Sequence, residues 1–219
     1  MRPPLCMLLM FLLWQISVAE AQLLFVPVYG GIGSSGEQLF PHSDSTSVHL
    51  DQMRGYISQV KFLKEGQVTT EKNSFHLVDF LSGTTVHFNV PEINYDSVYF
   101  TLGIDSAVQV QGVMEGDLDP SNGMYWTWQS GYIHLKLEGN IAAGSGQTRN
   151  FQFHIGGYRF PDNTCRVIGL PYRRDMKVGI ELFSLLDPSV NSSDEIMSPG
   201  PAAAGFADRL QRSFYILRP

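Results

Sequence analysis

Two tryptophans two residues apart, Trp126 and Trp128, and two histidines further along, His134 and His154, are the residues of this 219-residue chain best placed to do chemistry. Three of them lie in the run DLDPSNGMYWTWQSGYIHLKLEG (117–139), and the fourth lies in FQFHIGG (151–157). In an extended segment, residues i and i+2 point to the same face. Both indoles would then sit side by side, next to Met124. Such a pair is either the centre of a sheet core, where large aromatics dominate burial, or the wall of a site. Strict alternation gives Trp126, Trp128 and His134 one parity, with Ser130-Gly131 as a candidate interruption. The His154 strand should pair antiparallel with the strand before it, across a Gly/Ala/Ser turn at 139–147. Two histidines on adjacent strands can meet a metal without tight sequence spacing, and neutral imidazole suits copper or zinc. The plain alternative for each is a structural or surface role.

Other chemistry finds little support. His42, His49, His76 and His87 complete the histidines, and no HExxH, HxH or CxxC spacing supports a zinc hydrolase. Asp117, Asp119, Ser121 and Gly123 place oxygens at alternate residues, as a calcium loop does. Pro120 and Asn122 break that order, however, and Trp128 stands where a glutamate is needed, so a plain turn is the competing assignment. No GxSxG elbow is present. Glu138 and Asp79 have no partner in the sequence and default to solvated or turn-capping roles.

The elements that must position these residues follow a leader. Arg2, the apolar run 5–14 and Ala19-Glu20-Ala21 read as a secretory signal peptide over 1–21, too short to span a bilayer well. The exported chain would start at Gln22, for a periplasmic or secreted location. Cys6 leaves with the leader, so Cys165 stands alone, as a buried thiol or a metal ligand. A net charge of −6 and no basic cluster beyond Arg173-Arg174 disfavour nucleic acid.

Strands are expected at 23–29, 55–63, 74–80, 84–90, 97–104, 132–137, 148–155, 165–171 and 177–186. Pro27 argues that the first is an edge. In the second, Tyr56, Ser58, Val60 and Phe62 share one face. Residues 105–123 form a long loop, 187–200 a linker, and 202–214 a helix with Ala203, Phe206, Leu210 and Phe214 at helical spacing. With no βαβ alternation, the fold class is all-β: an antiparallel β-sandwich of Greek-key or jelly-roll type over 22–186, with a short C-terminal helix in 187–219.

The run LDPSNGMYWTWQSGYIHLKLEG followed by FQFHIGGYR, with RGYISQVKF, FHLVDF and VYFTLGIDS before it, resembles the MbnP-like family of periplasmic, methanobactin-associated copper-binding proteins. The resemblance covers roughly 50–186. It implies a β-sandwich that binds copper through histidines and a tryptophan oxidised to kynurenine by a diheme cytochrome peroxidase of MbnH type. The positions that match are Trp126, Trp128 and His154, while His134 stands where many relatives carry an aromatic. An Asn-His pair often found after the strand ending near Gly103 is replaced here by GIDSAVQVQG. The competing class is a non-catalytic binding or adhesion module whose exposed Trp126, Trp128 and Tyr132 stack on sugar rings. A secreted enzyme ranks last, for want of a nucleophile–base pair.

Overall fold

A computed structural model describes residues 19–33, 39–41, 47–112, 114–126, 130–142, 146–187, 191 and 193–218. The expected leader up to residue 18, His42 and Trp128 lie outside the described residues. In chain order the strands are β1 (Glu20–Tyr29), β2 (Ile32–Gly33), β3 (Leu39–Pro41), β4 (Ser47–Lys64), β5 (Gln67–Thr70), β6 (Phe75–Asp79), β7 (Val86–Pro91) and β8 (Ser97–Leu102). A short helix α1 (Ser106–Gln109) and two 3-10 turns, Gly116–Leu118 and Pro120–Asn122, follow. Then come β9 (Ile133–Ala142), β10 (Thr148–Gly156), β11 (Arg166–Pro171), β12 (Lys177–Glu181), α2 (Phe183–Leu186), β13 (Glu195–Ile196), α3 (Pro201–Arg212) and β14 (Phe214–Ile216).

Two sheets form a sandwich. One runs β14-β12-β1-β2, with β7 also on β1; the other runs β11-β8-β4-β9-β10-β13, with β3, β5 and β6 also on β4. Pairing is mostly antiparallel, but β1–β12 and β10–β13 are parallel. The inner faces close over one hydrocarbon core. Leu23, Phe25, Val178 and Ile180 of the first sheet meet Ile57, Phe62, Phe100, Leu137 and Phe153 of the second. Phe25 makes edge-to-face contacts with Phe80 and Phe100, both at 5.7 Å, a favoured aromatic geometry. The expected helix is α3: Pro201 opens it, and Ala203, Phe206 and Leu210 bury its inner face, with Phe206 lying 5.0 Å from Phe153. Phe214 joins the same core from β14 rather than from the helix.

Three departures have physical causes. First, β1 is interior, flanked by β12 on one side and by β7 and β2 on the other. Leu24 N and Val28 O bond on the β12 side, so the missing donor of Pro27 faces the other side. There β7 pairs only through Leu23 and β2 only from Val28, which is locally an edge. Second, the predicted face of 55–63 switches partway along. Tyr56 belongs to a different cluster from Val60 and Phe62, whereas Ile57 joins them. The cause is a bulge between Ser58 and Lys61, with Gln59 in the left-handed region at φ 52°. Third, β4 is twice the expected length; its register also shifts between Leu50 and Gln52, which hides its alternation.

Candidate functional site

The described residues of the stretch 104–132 do not form a free loop. It lies on the outer face of the nine-stranded sheet and forms a second, smaller core. Ile104, Val108, Leu118, Met124, Tyr132 and Ile133 pack with Tyr56, and Trp126 rests partly buried against them. Asp105 caps α1, accepting from Ala107 N at 2.8 Å and Val108 N at 3.1 Å. Asp119 accepts from Ser121 N and Asp117 from Leu77 N, so these carboxylates hold turns. The calcium-loop arrangement is therefore the plain turn. Asp79 likewise accepts from Leu81 N.

His134 is sealed in this layer, and its proton can be placed. Gln109 Oε1 accepts from Tyr132 N at 2.9 Å, which fixes the amide orientation. Gln109 Nε2 therefore donates to His134 Nε2 at 2.9 Å and to Ile104 O at 3.3 Å. The imidazole hydrogen is left on Nδ1, where it donates to Thr164 Oγ1 at 2.9 Å. Thr164 in turn donates to Gly157 O. Burial pushes the His134 pKa down to about 3, against a smaller opposing effect of the Ile104 carbonyl. Gly103, at φ 101°, completes the seal: a Cβ there would sit 2.5 Å from His134 Nδ1. Cys165 donates to Ile104 O at 3.2 Å, and burial first, then the Asp105 charge, pushes its thiol up to about 12. It is an inert thiol in this setting.

His154 is arranged differently. Its Nε2 lies 2.5 Å from Glu138 Oε1. An ionised carboxylate can only accept, so Nε2 carries the hydrogen of this contact. Among the described residues Nδ1 has no hydrogen-bond partner. This is the second-shell pattern of metal-binding histidines, in which the far nitrogen donates to a carboxylate. Glu138 reaches it because β10 pairs β9 antiparallel, as expected, with Gln152 opposite Glu138 and His154 opposite Lys136.

Trp126 joins His154 through a glycine. A Cβ on Gly156 would lie 2.9 Å from the Trp126 ring, so the indole occupies the place that a side chain would take. Gly156 is two residues beyond His154 on β10, hence on the same face. The backbone bond from Trp126 N to Gly131 O and the Tyr125–Tyr132 bridge fix where the ring enters. Tyr132 is fully buried rather than exposed, which removes one member of the expected stacking platform. Among the described residues, no three His, Cys, Asp or Glu side chains gather as a metal cluster.

Sequence reasoning missed Gln109, Thr164, Glu138 as a partner of His154, and the two seating glycines. Gly156-Gly157, read only as a strand end, was the one legible signal. Gln109 lies in a segment with no periodicity at all.

The architecture is thus a two-sheet β-sandwich carrying an outer layer that presents an indole and a carboxylate-oriented imidazole on one strand face. The chain belongs to the MbnP family: the family model, described as MbnP, matches residues 19–194. Among solved structures it is similar to MbnP from Methylosinus trichosporium, with 16% identity, a TM-score of 0.55, and 85% of this chain and 83% of that chain covered. That likeness concerns the fold. No curated protein matches the chain.

Proposed function

We propose that this chain is an exported copper-binding protein of MbnP type, with His154 and an oxidised Trp126 or Trp128 as its nitrogen donors. The observation that carries this is the His154–Glu138 pair: it leaves Nδ1 as the ring nitrogen open to a metal, two residues along β10 from Gly156, against which Trp126 is seated. Opening of an indole to kynurenine exchanges one ring carbon for an oxygen and releases an aryl amine, a donor that indole lacks. Imidazole and aryl amine together are borderline nitrogen ligands suited to copper. In this reading copper is the chain's cargo.

The residues present fit such a site in part. Glu138 orients the His154 ring, and the paired strands hold it more rigidly than a loop could. His134 does not fit, because its Nε2 lone pair is taken by Gln109 and its Nδ1 carries hydrogen. Its part is to anchor the layer that carries Trp126. A diheme oxidase of MbnH type as the partner that oxidises tryptophan, and a periplasmic or secreted location reached through a cleaved leader, belong to the same proposal. Among the described residues no helix is long and apolar enough to cross a membrane.

The test is metal analysis and intact-mass measurement of protein purified from its native compartment. The expected result is copper bound to the chain, with the carbon-for-oxygen mass change mapped to the peptide holding Trp126 and Trp128. His154→Ala should abolish copper while leaving the fold. Copper-free native protein with both tryptophans intact, or copper unaffected by His154→Ala, would overturn the proposal.

A further inference from the structure

Away from the outer layer, the chain builds a groove of about 670 Å³ where the turn after β11 meets the start of β12 and the end of β14. This lies within the roughly 300–1,000 Å³ of small-molecule pockets. Ile216 and Leu217, both partly exposed, contribute apolar surface, and Arg173, Arg174, Lys177 and Arg218 supply four cations. The concentration runs against the chain as a whole, which carries a net charge of −6. Arg174 is partly engaged, with Nε 3.6 Å from Glu92 Oε1. Among the described residues no carboxylate pairs with Arg173, Lys177 or Arg218. The one acid in the lining, Asp175, already accepts from Gln22 Nε2.

The frame of the groove is set by backbone bonds. Tyr172 N donates to Asp96 O, Met176 N to Arg173 O and Leu217 N to Lys177 O. Below the turn, the Tyr172 hydroxyl donates to the buried Glu92 carboxylate. The cations therefore stand on a fixed base before any ligand arrives, which limits the ordering lost on binding.

We infer that this groove binds a free anionic amphiphile, a carboxylate or phosphate head on a short acyl chain. The head would meet the guanidinium forks, whose paired N–H groups match such oxygens, and the chain would lie on Ile216 and Leu217. A small hydrophilic anion would leave the apolar surface uncovered, and a neutral chain would leave the cations without a partner.

The experiment is a calorimetric titration of the full chain with laurate below its micelle concentration. Inorganic phosphate, dodecyl maltoside and phosphatidylglycerol vesicles serve as comparison arms. Saturable one-to-one binding of laurate is expected, with no saturation by phosphate or the neutral detergent. The exposed double variant Arg173→Glu/Arg218→Glu should weaken laurate about tenfold or more, and Ile216→Ser by about threefold to tenfold. Arg173→Gln, which removes one charge without reversing it, should fall between wild type and the double variant. Laurate that fails to saturate, binds the double variant as well as wild type, or is matched by phosphate or dodecyl maltoside overturns the inference. Binding to the vesicles without binding to free laurate overturns it in favour of a membrane surface. The native fold of each variant is checked by circular dichroism, and Arg173→Gln keeps the charge question open if the double variant fails to fold.

Discussion

The two faces of the nine-stranded sheet are held in different ways. Its inner face meets the other sheet mainly through hydrocarbon: Ile57, Phe62, Phe100 and Phe153 need shape and dryness but no particular partner, with tyrosines such as Tyr95 and Tyr172 in the same core. Its outer face carries a layer pinned by a polar chain, from Tyr132 N through Gln109, His134 and Thr164 to Gly157 O. A hydrocarbon face tolerates substitution in proportion to lost volume. A buried polar chain fails at any one link, because each link leaves another group unsatisfied. The difference also separates the two histidines. The one inside the chain is spent on structure at both ring nitrogens, and the one at its border is bonded at Nε2 alone among the described residues.

This contrast can be broken in graded steps. Phe62→Ala on the inner face should cost about 3–5 kcal/mol in denaturant unfolding, with no dependence of that loss on pH. A loss below about 1 kcal/mol would mean that the two faces do not differ as described. Gln109→Leu on the outer face should cost about 2–3 kcal/mol, because it strands both Tyr132 N–H and His134 Nε2.

Acid should act on the outer layer first. The His134 imidazole is neutral in the folded chain, with its pKa lowered from 6.5 to about 3 by burial. The unfolded chain takes up that proton near pH 6.5, and the folded chain takes it up only near pH 3. Stability is therefore whole above pH 6.5 and falls as pH drops through that window, by on the order of a few kcal/mol. His134→Gln should flatten the slope between pH 6.5 and pH 4, whatever it does at neutral pH. An unchanged slope would show that the imidazole is not the titrating group.

Smaller effects sharpen the comparison further. Asp105→Ala removes the α1 cap and should cost about 1 kcal/mol, read from the same unfolding curves. Trp126→Phe, at a half-exposed position, should change stability by less than about 1 kcal/mol. Its expected consequence is functional, in the metal content of native protein.

Legibility followed the same division. Strands β6, β7, β8 and β10 were visible because alternation or β-branched and aromatic runs are local properties. The helix at 201–212 was visible through its spacing. The first half of β4 was not, because bulges shift its parity, and its pairing partners supply what periodicity does not. In the candidate site the motif located Trp126 and His154, but the local pattern could not rank His134 against His154. Both are histidines on adjacent strands. Only the groups brought from 109, 138 and 164 tell them apart.

By itself, then, the amino-acid sequence determined an all-β chain, its approximate strands and helix, and the residue types available for chemistry. These depend on side-chain period and turn residues within a few positions. The tertiary structure decided which histidine is held at both ring nitrogens and which at one, where the Trp126 ring is seated, and how four cations of an acidic chain come to share one groove. Those outcomes depend on hydrogen bonds and close approaches between residues far apart in sequence, which no local pattern encodes.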